Sequence, residues 1–224
     1  MQLDSHVYAF PLTVEFPERT VTINPSGVET GSGLVLLDVG YEPTVDVLEE
    51  QLEEHGFGFS DVQHIVITHH DGDHAGALKE IKDRTDATVF AHPEEAPYIT
   101  GDESPIKSPD DDRYPPASVD IEIVDGVSFN TKAGKMRVVS TPGHCPGHIS
   151  LYFPDNKLLI AADAMTADDE GLQGFSEQYT IDAETAIESL EKLGELEIEK
   201  TLCFHGGFVE EGTDRIQEVY ESYH

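Results

Sequence analysis

The chain has 224 residues, with 45 Asp and Glu against 13 Lys and Arg, and a formal net charge of −32 at pH 7. A hydrophobic content of 38% is enough for a substantial core, so disorder is not the default, and the length fits one large domain or two small ones. No run approaches the ~18 apolar residues of a membrane span, and the opening Met1-Gln2-Leu3-Asp4-Ser5-His6 lacks the regions of a signal peptide. The expectation is a cytoplasmic protein with no membrane partner. So acidic a chain repels polyanions, which excludes nucleic acid as the expected partner. Two cysteines, Cys145 and Cys203, are too few for a disulfide framework and read as ordinary buried thiols.

In chain order, short apolar and polar runs at 7–10, 19–23 and 34–39, separated by Pro and Gly, predict strands and turns. Pro43 opens a helix over 44–55, where Val45, Val47, Leu48 and Leu52 fall near helical spacing and Gly56 is the stop. A β-branched run at 62–68 predicts a buried strand, and 75–81 returns to helical composition. Another strand is expected at 87–91, then a Pro-, Asp- and Ser-rich surface loop over 100–116 with the character of a lid. Strands recur at 119–124, 127–131, 136–140, 148–153 and 157–161. An irregular loop over 166–180 leads to a helix at 182–193, a strand at 200–204 and a terminal helix over 213–220. No linker divides the sequence, so 1–224 is expected to form a single domain. The acids are spread along the chain as solvated faces, and the composition is similar to the proteome style of salt-loving microbes, where salt screens self-repulsion.

The densest chemical signal is Thr68-His69-His70-Asp71-Gly72-Asp73-His74, in which five of seven residues are potential metal ligands on a strand-to-helix loop. Crowding carboxylates and imidazoles costs stability that bound divalent cations offset. Isolated His55, His64 and His92 carry no such signal. A second cluster, Thr141-Pro142-Gly143-His144-Cys145-Pro146-Gly147-His148, follows a strand, Asp163 ends another, and Phe204-His205-Gly206-Gly207 ends a third. All four lie at strand ends, where layered architectures collect their functional loops.

In that order and spacing, HxDxDH at 69–74, TPGHCPGH at 141–148, Asp163 and His205 resemble the metallo-β-lactamase fold superfamily. The resemblance implies an α/β fold: an αββα four-layer sandwich of two mixed β-sheets with helices on the outer faces. It also implies a binuclear site, with His69, Asp71 and His144 on one divalent ion, Asp73, His74 and His205 on the other, and Asp163 bridging. Asp38 is similar to the acid that supports the metal loop; His70 and His148 are expected to support the site or the core, and Cys145 to be inert.

The commonest family motif carries His where Asp71 stands, while a related subgroup carries HxDxDH. An extra carboxylate makes a hydroxide-bridged dication site formally neutral and its water less acidified; it also hardens the first position, tilting it from zinc toward manganese or iron, while the His-rich remainder still suits zinc, the cation expected. The implied chemistry is hydroxide attack on a small ester, thioester or lactone, with Asp73 orienting or accepting the proton. Only 19 residues follow His205, with Arg215 their sole base, which disfavours a strict glyoxalase II. Tyr179 and Phe175, on the loop after Asp163, are the candidate substrate contacts. The alternatives are a degenerate metal-binding or non-hydrolytic member of the fold, and a β-lactam hydrolase. Oligomeric state is not legible.

Overall fold

The computed structural model describes residues 1–107 and 113–224. Two compact units divide it, Met1–Ile123 and Val124–His224, and each is built on its own mixed sheet.

The first unit runs β1 (Gln2–Asp4), β2 (Val7–Ala9), β3 (Leu12–Phe16), β4 (Arg19–Ile23), β5 (Ser26–Glu29), β6 (Leu34–Leu37), α1 (Val45–Glu54), β7 (Val62–Val66), α2 (Gly72–Ala75), α3 (Leu78–Arg84), β8 (Thr88–Ala91), α4 (Ala96–Thr100) and β9 (Ile121–Glu122). Its seven-stranded sheet has the order β1-β2-β5-β6-β7-β8-β9, and β3 and β4 form a separate hairpin. β6, β7 and β8 pair in parallel, with Leu36 opposite Ile65 and Ile65 opposite Val89. Parallel pairing brings their C-terminal ends to one sheet edge, and the 68–74 motif leaves the sheet there. β6 is wholly buried, as its uninterrupted Leu-Val-Leu-Leu requires. α1 turns Val45, Leu48 and Leu52 inward, the spacing of an amphipathic helix.

The second unit runs β10 (Ser128–Thr131), β11 (Gly134–Ser140), β12 (Ile149–Phe153), β13 (Leu158–Ala162), β14 (Thr166–Asp168), β15 (Gly171–Gln173), α5 (Ala183–Gly194), β16 (Lys200–Cys203), β17 (Gly207–Val209) and α6 (Thr213–Glu221). Its six-stranded sheet has the order β10-β11-β12-β13-β16-β17. The one parallel pair is β13 with β16, while β11 meets β12 through Ser140 opposite Ile149. That register puts the 141–148 loop, the end of β13 and the end of β16 at one edge. Central β12 and β13 are buried throughout. α5 packs Ala186, Leu190 and Leu193 into a core shared with Leu159, Met165, Phe175, Ile216 and Val219, and Asp182 caps it by accepting the Thr185 N–H at 3.1 Å.

The mixed α/β class expected from sequence is what the chain adopts. Several elements differ from the reading. Helix is broken into α2 and α3 instead of running through 75–81, and α2 begins inside the motif, so Asp73 and His74 sit on a helical turn. The 166–180 loop contains the β14–β15 hairpin. The strand expected at 119–124 contracts to β9, and β1, β3, β5 and β17 went unread because they are short and largely set by pairing with neighbours. The 100–116 loop lies partly outside the described residues, at 108–112, and α4 occupies its approach. Among the described residues no helix is long and apolar enough to cross a membrane.

Candidate metal centre

In the first unit the motif is organised around a buried carboxylate. Asp38, just past β6, sits at φ +58°, a left-handed conformation that Asp tolerates better than most side chains. Its oxygens accept the Thr68 backbone N–H (2.8 Å), the Thr68 hydroxyl (2.8 Å) and His74 Nδ1 (2.8 Å). A carboxylate accepts only, so His74 carries its proton on Nδ1 and presents Nε2 as a lone-pair donor. Thr68 Oγ1, its own proton spent on Asp38, also lies 3.1 Å from His69 Nδ1, which makes the same choice for His69. The Nε2 edges then face the motif's acids: His69 Nε2 is 3.3 Å from Asp71 Oδ2 and His74 Nε2 is 3.9 Å from Asp73 Oδ2. The two imidazoles are 3.9 Å apart between centroids and both are fully buried.

His70, between two ligand positions, faces elsewhere. Its backbone N–H donates to Glu95 Oε2 (2.9 Å), its Nδ1 contacts the same oxygen, and its ring stacks on Tyr98. Its Nε2 accepts the Ile106 N–H (3.2 Å) and its carbonyl accepts the Tyr114 hydroxyl (2.7 Å). Glu95 and His70 are both fully buried. Lys107, the residue after Ile106, places Nζ 2.5 Å from Asp71 Oδ2. Glu95 and Lys107 had no signal in the sequence, because each meets the motif across a separation of tens of residues.

In the second unit Asp163 Oδ2 lies 3.4 Å from His144 Nε2 and 3.5 Å from His205 Nε2. One carboxylate oxygen thus faces two imidazole nitrogens, all three being potential cation ligands. Local backbone places each of the three. Ala162 at φ +50° turns Asp163 off the end of β13. Gly143 at φ +128° lies so close to α5 that a Cβ would stand 2.4 Å from the Ala186 nitrogen, and its carbonyl accepts the Asp182 N–H at 2.9 Å. Gly206, after His205, would put a Cβ 1.8 Å from the Ala167 carbonyl, which is why Gly follows this histidine. His148 supports Asp163: its Nε2 accepts the Asp163 N–H (3.1 Å), its Nδ1 donates to Thr141 Oγ1 (2.9 Å), and the chain continues through Ser150 to the Ala161 carbonyl.

Cys203 and Cys145 are both buried and form no disulfide. Burial, and then the Asp163 charge, push the Cys203 thiol far up, so it is a packing group and not a nucleophile. Phe175, expected at the substrate, is 5% exposed and stacked on Tyr223 at 5.1 Å between centroids; its area is spent in the core. Tyr179 is 44% exposed. His55 contacts Tyr8 and the N-terminal amine, and His64 lies edge-on to Phe90, as isolated histidines should.

Donor chemistry therefore fits a divalent cation: imidazole nitrogens aimed at carboxylates, with the opposite ring nitrogens of His69 and His74 already occupied. The sequence profile of the Metallo-beta-lactamase superfamily matches residues 22–205. The chain is 35% identical to "Probable metallo-hydrolase YflN" of Bacillus subtilis, over 77% of this chain and 75% of that one. It is 31% identical to the hydroxyacylglutathione hydrolase of Cereibacter sphaeroides over 73% of this chain, a match that spans 56% of that enzyme's length. A metallo-beta-lactamase family protein from Thermus thermophilus shares the fold, with a TM-score of 0.79 at 24% identity over 99% of this chain and 80% of that one. The chain belongs to the metallo-beta-lactamase superfamily, and its class is that of the metal-dependent hydrolases.

Proposed function

We propose that the chain is a binuclear hydrolase of small acyl substrates, thioesters first and esters or lactones next, with its two units acting as one functional domain. The observation that carries this reading is Asp163 Oδ2 shared between His144 Nε2 and His205 Nε2. Following the family pattern, His69, Asp71 and His144 would hold one divalent ion, Asp73, His74 and His205 the other, with Asp163 common to both; zinc suits the imidazoles among them. When bound, such a pair supplies an acidified water and polarises the acyl oxygen.

The rest is done by the protein. Asp38 and Thr68 hold protons on the Nδ1 atoms of His74 and His69, keeping both Nε2 lone pairs outward. The His148–Thr141–Ser150 chain fixes the Asp163 backbone. Asp73, which keeps 16% of its side chain exposed, is the carboxylate that orients water or takes its proton. Exposed Tyr179 is the aromatic that lines the substrate. Similarity to a hydroxyacylglutathione hydrolase supports thioesters over lactones. The test is turnover of acyl thioesters by metal-loaded protein against Asp163→Ala. The reading expects hydrolysis in the wild type and a loss of at least two orders of magnitude in the variant; equal rates would overturn it.

A further inference from the structure

The four histidines proposed as ligands are not held alike. The side chains of His69, His74 and His144 are 0%, 0% and 2% exposed, so packing fixes them, whereas that of His205 is 32% exposed. His205 also lies on the tight turn between β16 and β17, where Gly206 and Gly207 both take positive φ. Its backbone is held by the β14–β15 hairpin. The Ala167 N–H donates to the His205 carbonyl at 3.1 Å, and the Ala167 carbonyl leaves no room for a Cβ on Gly206.

Ala167 stands opposite Leu172 in that hairpin. In an antiparallel ladder, a pair that exchanges no hydrogen bonds turns its N–H and C=O groups outward. Here Ala167 meets His205 on one edge, and Leu172 meets two side chains on the other. The Leu172 N–H donates to Glu211 Oε2 at 2.6 Å, and its carbonyl accepts the Arg215 Nε–H at 3.0 Å. Leu172 is fully buried, so these backbone groups need protein partners, and Glu211 and Arg215 stand in for a third strand. Both are themselves anchored. The Glu211 carbonyl accepts the Thr201 hydroxyl of β16 at 2.8 Å, and Glu218 holds the Arg215 guanidinium at 3.1 Å.

We infer that Glu211 and Arg215 are positioning residues for His205: by fixing Leu172 they fix Ala167, and through the Ala167 N–H the turn that aims the imidazole. The chain that follows the histidine thus folds back to hold it. The functional consequence rests on the reading of His205 as a ligand, but the mechanical coupling is testable in metal-free protein.

The experiment compares Glu211→Ala, which removes the acceptor, with Glu211→Gln, whose amide oxygen can still accept the Leu172 N–H. Arg215→Met, which keeps the stem and loses the donor, is a second and milder break. In chelator-treated protein, hydrogen exchange of the Ala167 amide should quicken about tenfold relative to the β12 amides in Glu211→Ala and Arg215→Met, and stay within about twofold of wild type in Glu211→Gln, as for one buried hydrogen bond lost or kept. With zinc added and a chromophoric chelator in competition, one equivalent should bind about tenfold more weakly in the two broken variants while the other binds as in the wild type; Glu211→Gln should restore it. Ala167 exchange that keeps pace with β12 in both broken variants would overturn the inference, as would two equivalents that change alike or not at all, or a Glu211→Gln that behaves as Glu211→Ala. If the wild type binds no divalent ion, the binuclear reading fails, and Ala167 exchange still decides for or against Glu211 and Arg215.

Discussion

Replacing Asp38 with Asn tests how the motif holds its histidines. Asn tolerates the left-handed backbone at φ +58°, and its carbonyl oxygen can still accept the Thr68 N–H. The amide NH2 then stands where Oδ2 was, facing the Thr68 hydroxyl and His74 Nδ1. The hydroxyl can turn and accept. His74 cannot keep its Nδ1 proton against another donor, so the imidazole must move it to Nε2, the nitrogen required for coordination. One charge-assisted hydrogen bond at a 2% exposed site is lost, about 2 kcal/mol of stability, and metal affinity should fall ~10–100-fold, as for other residues that orient metal-binding histidines. Urea unfolding of chelator-treated protein reads the first effect and competition with a chromophoric chelator the second. Long-range 15N–1H correlation of the His74 ring should show Nδ1–H in the wild type and Nε2–H in the variant. An Nδ1–H tautomer retained in Asp38→Asn, with undiminished affinity, would refute the reasoning.

Two further predictions follow from charge. Asp71→His removes one negative charge from the proposed ligands, so bound water should be more acidic and the pH at half-maximal turnover should move lower; an unmoved or raised profile would contradict the account of Asp71. Raising KCl from 0.1 to 1 M shortens the screening length from ~10 Å to ~3 Å, and the urea midpoint should rise. Exposed pairs such as Lys157–Glu199 at 2.8 Å lose with salt, but each is worth little, so relief of the −32 repulsion should win. A midpoint that falls would show that those pairs matter more than repulsion.

The site was legible in sequence to the extent that its residues are local. His69, Asp71, Asp73 and His74 are crowded into six positions, and His144, Asp163 and His205 each follow a run of β-branched and aliphatic residues, so strand ends could be read directly. Asp38 was readable through the family resemblance, as the acid that follows a strand end at Leu36-Leu37. Glu95 and Lys107 could not be found this way. Their contacts come from pairing with His70 and Asp71 at separations of 25 and 36 positions, and an acid and a lysine in polar stretches look like surface. Phe175 was read from its loop as a substrate contact; in the fold it stacks on Tyr223 and packs in a core cluster with Leu172. Helix ends fared better where a cap announced them, as Asp182 did for α5, than at α2, where Gly72 starts a helix inside a motif that composition reads as loop.

The central claim is a pair of divalent ions held by these seven side chains, and metal content per chain measures it most directly. Untagged protein purified without chelator, in high salt, should contain close to two equivalents of a divalent cation by elemental analysis, and Asp163→Ala clearly fewer. A wild-type content near zero, with no rebinding of zinc, manganese or iron, would contradict the account.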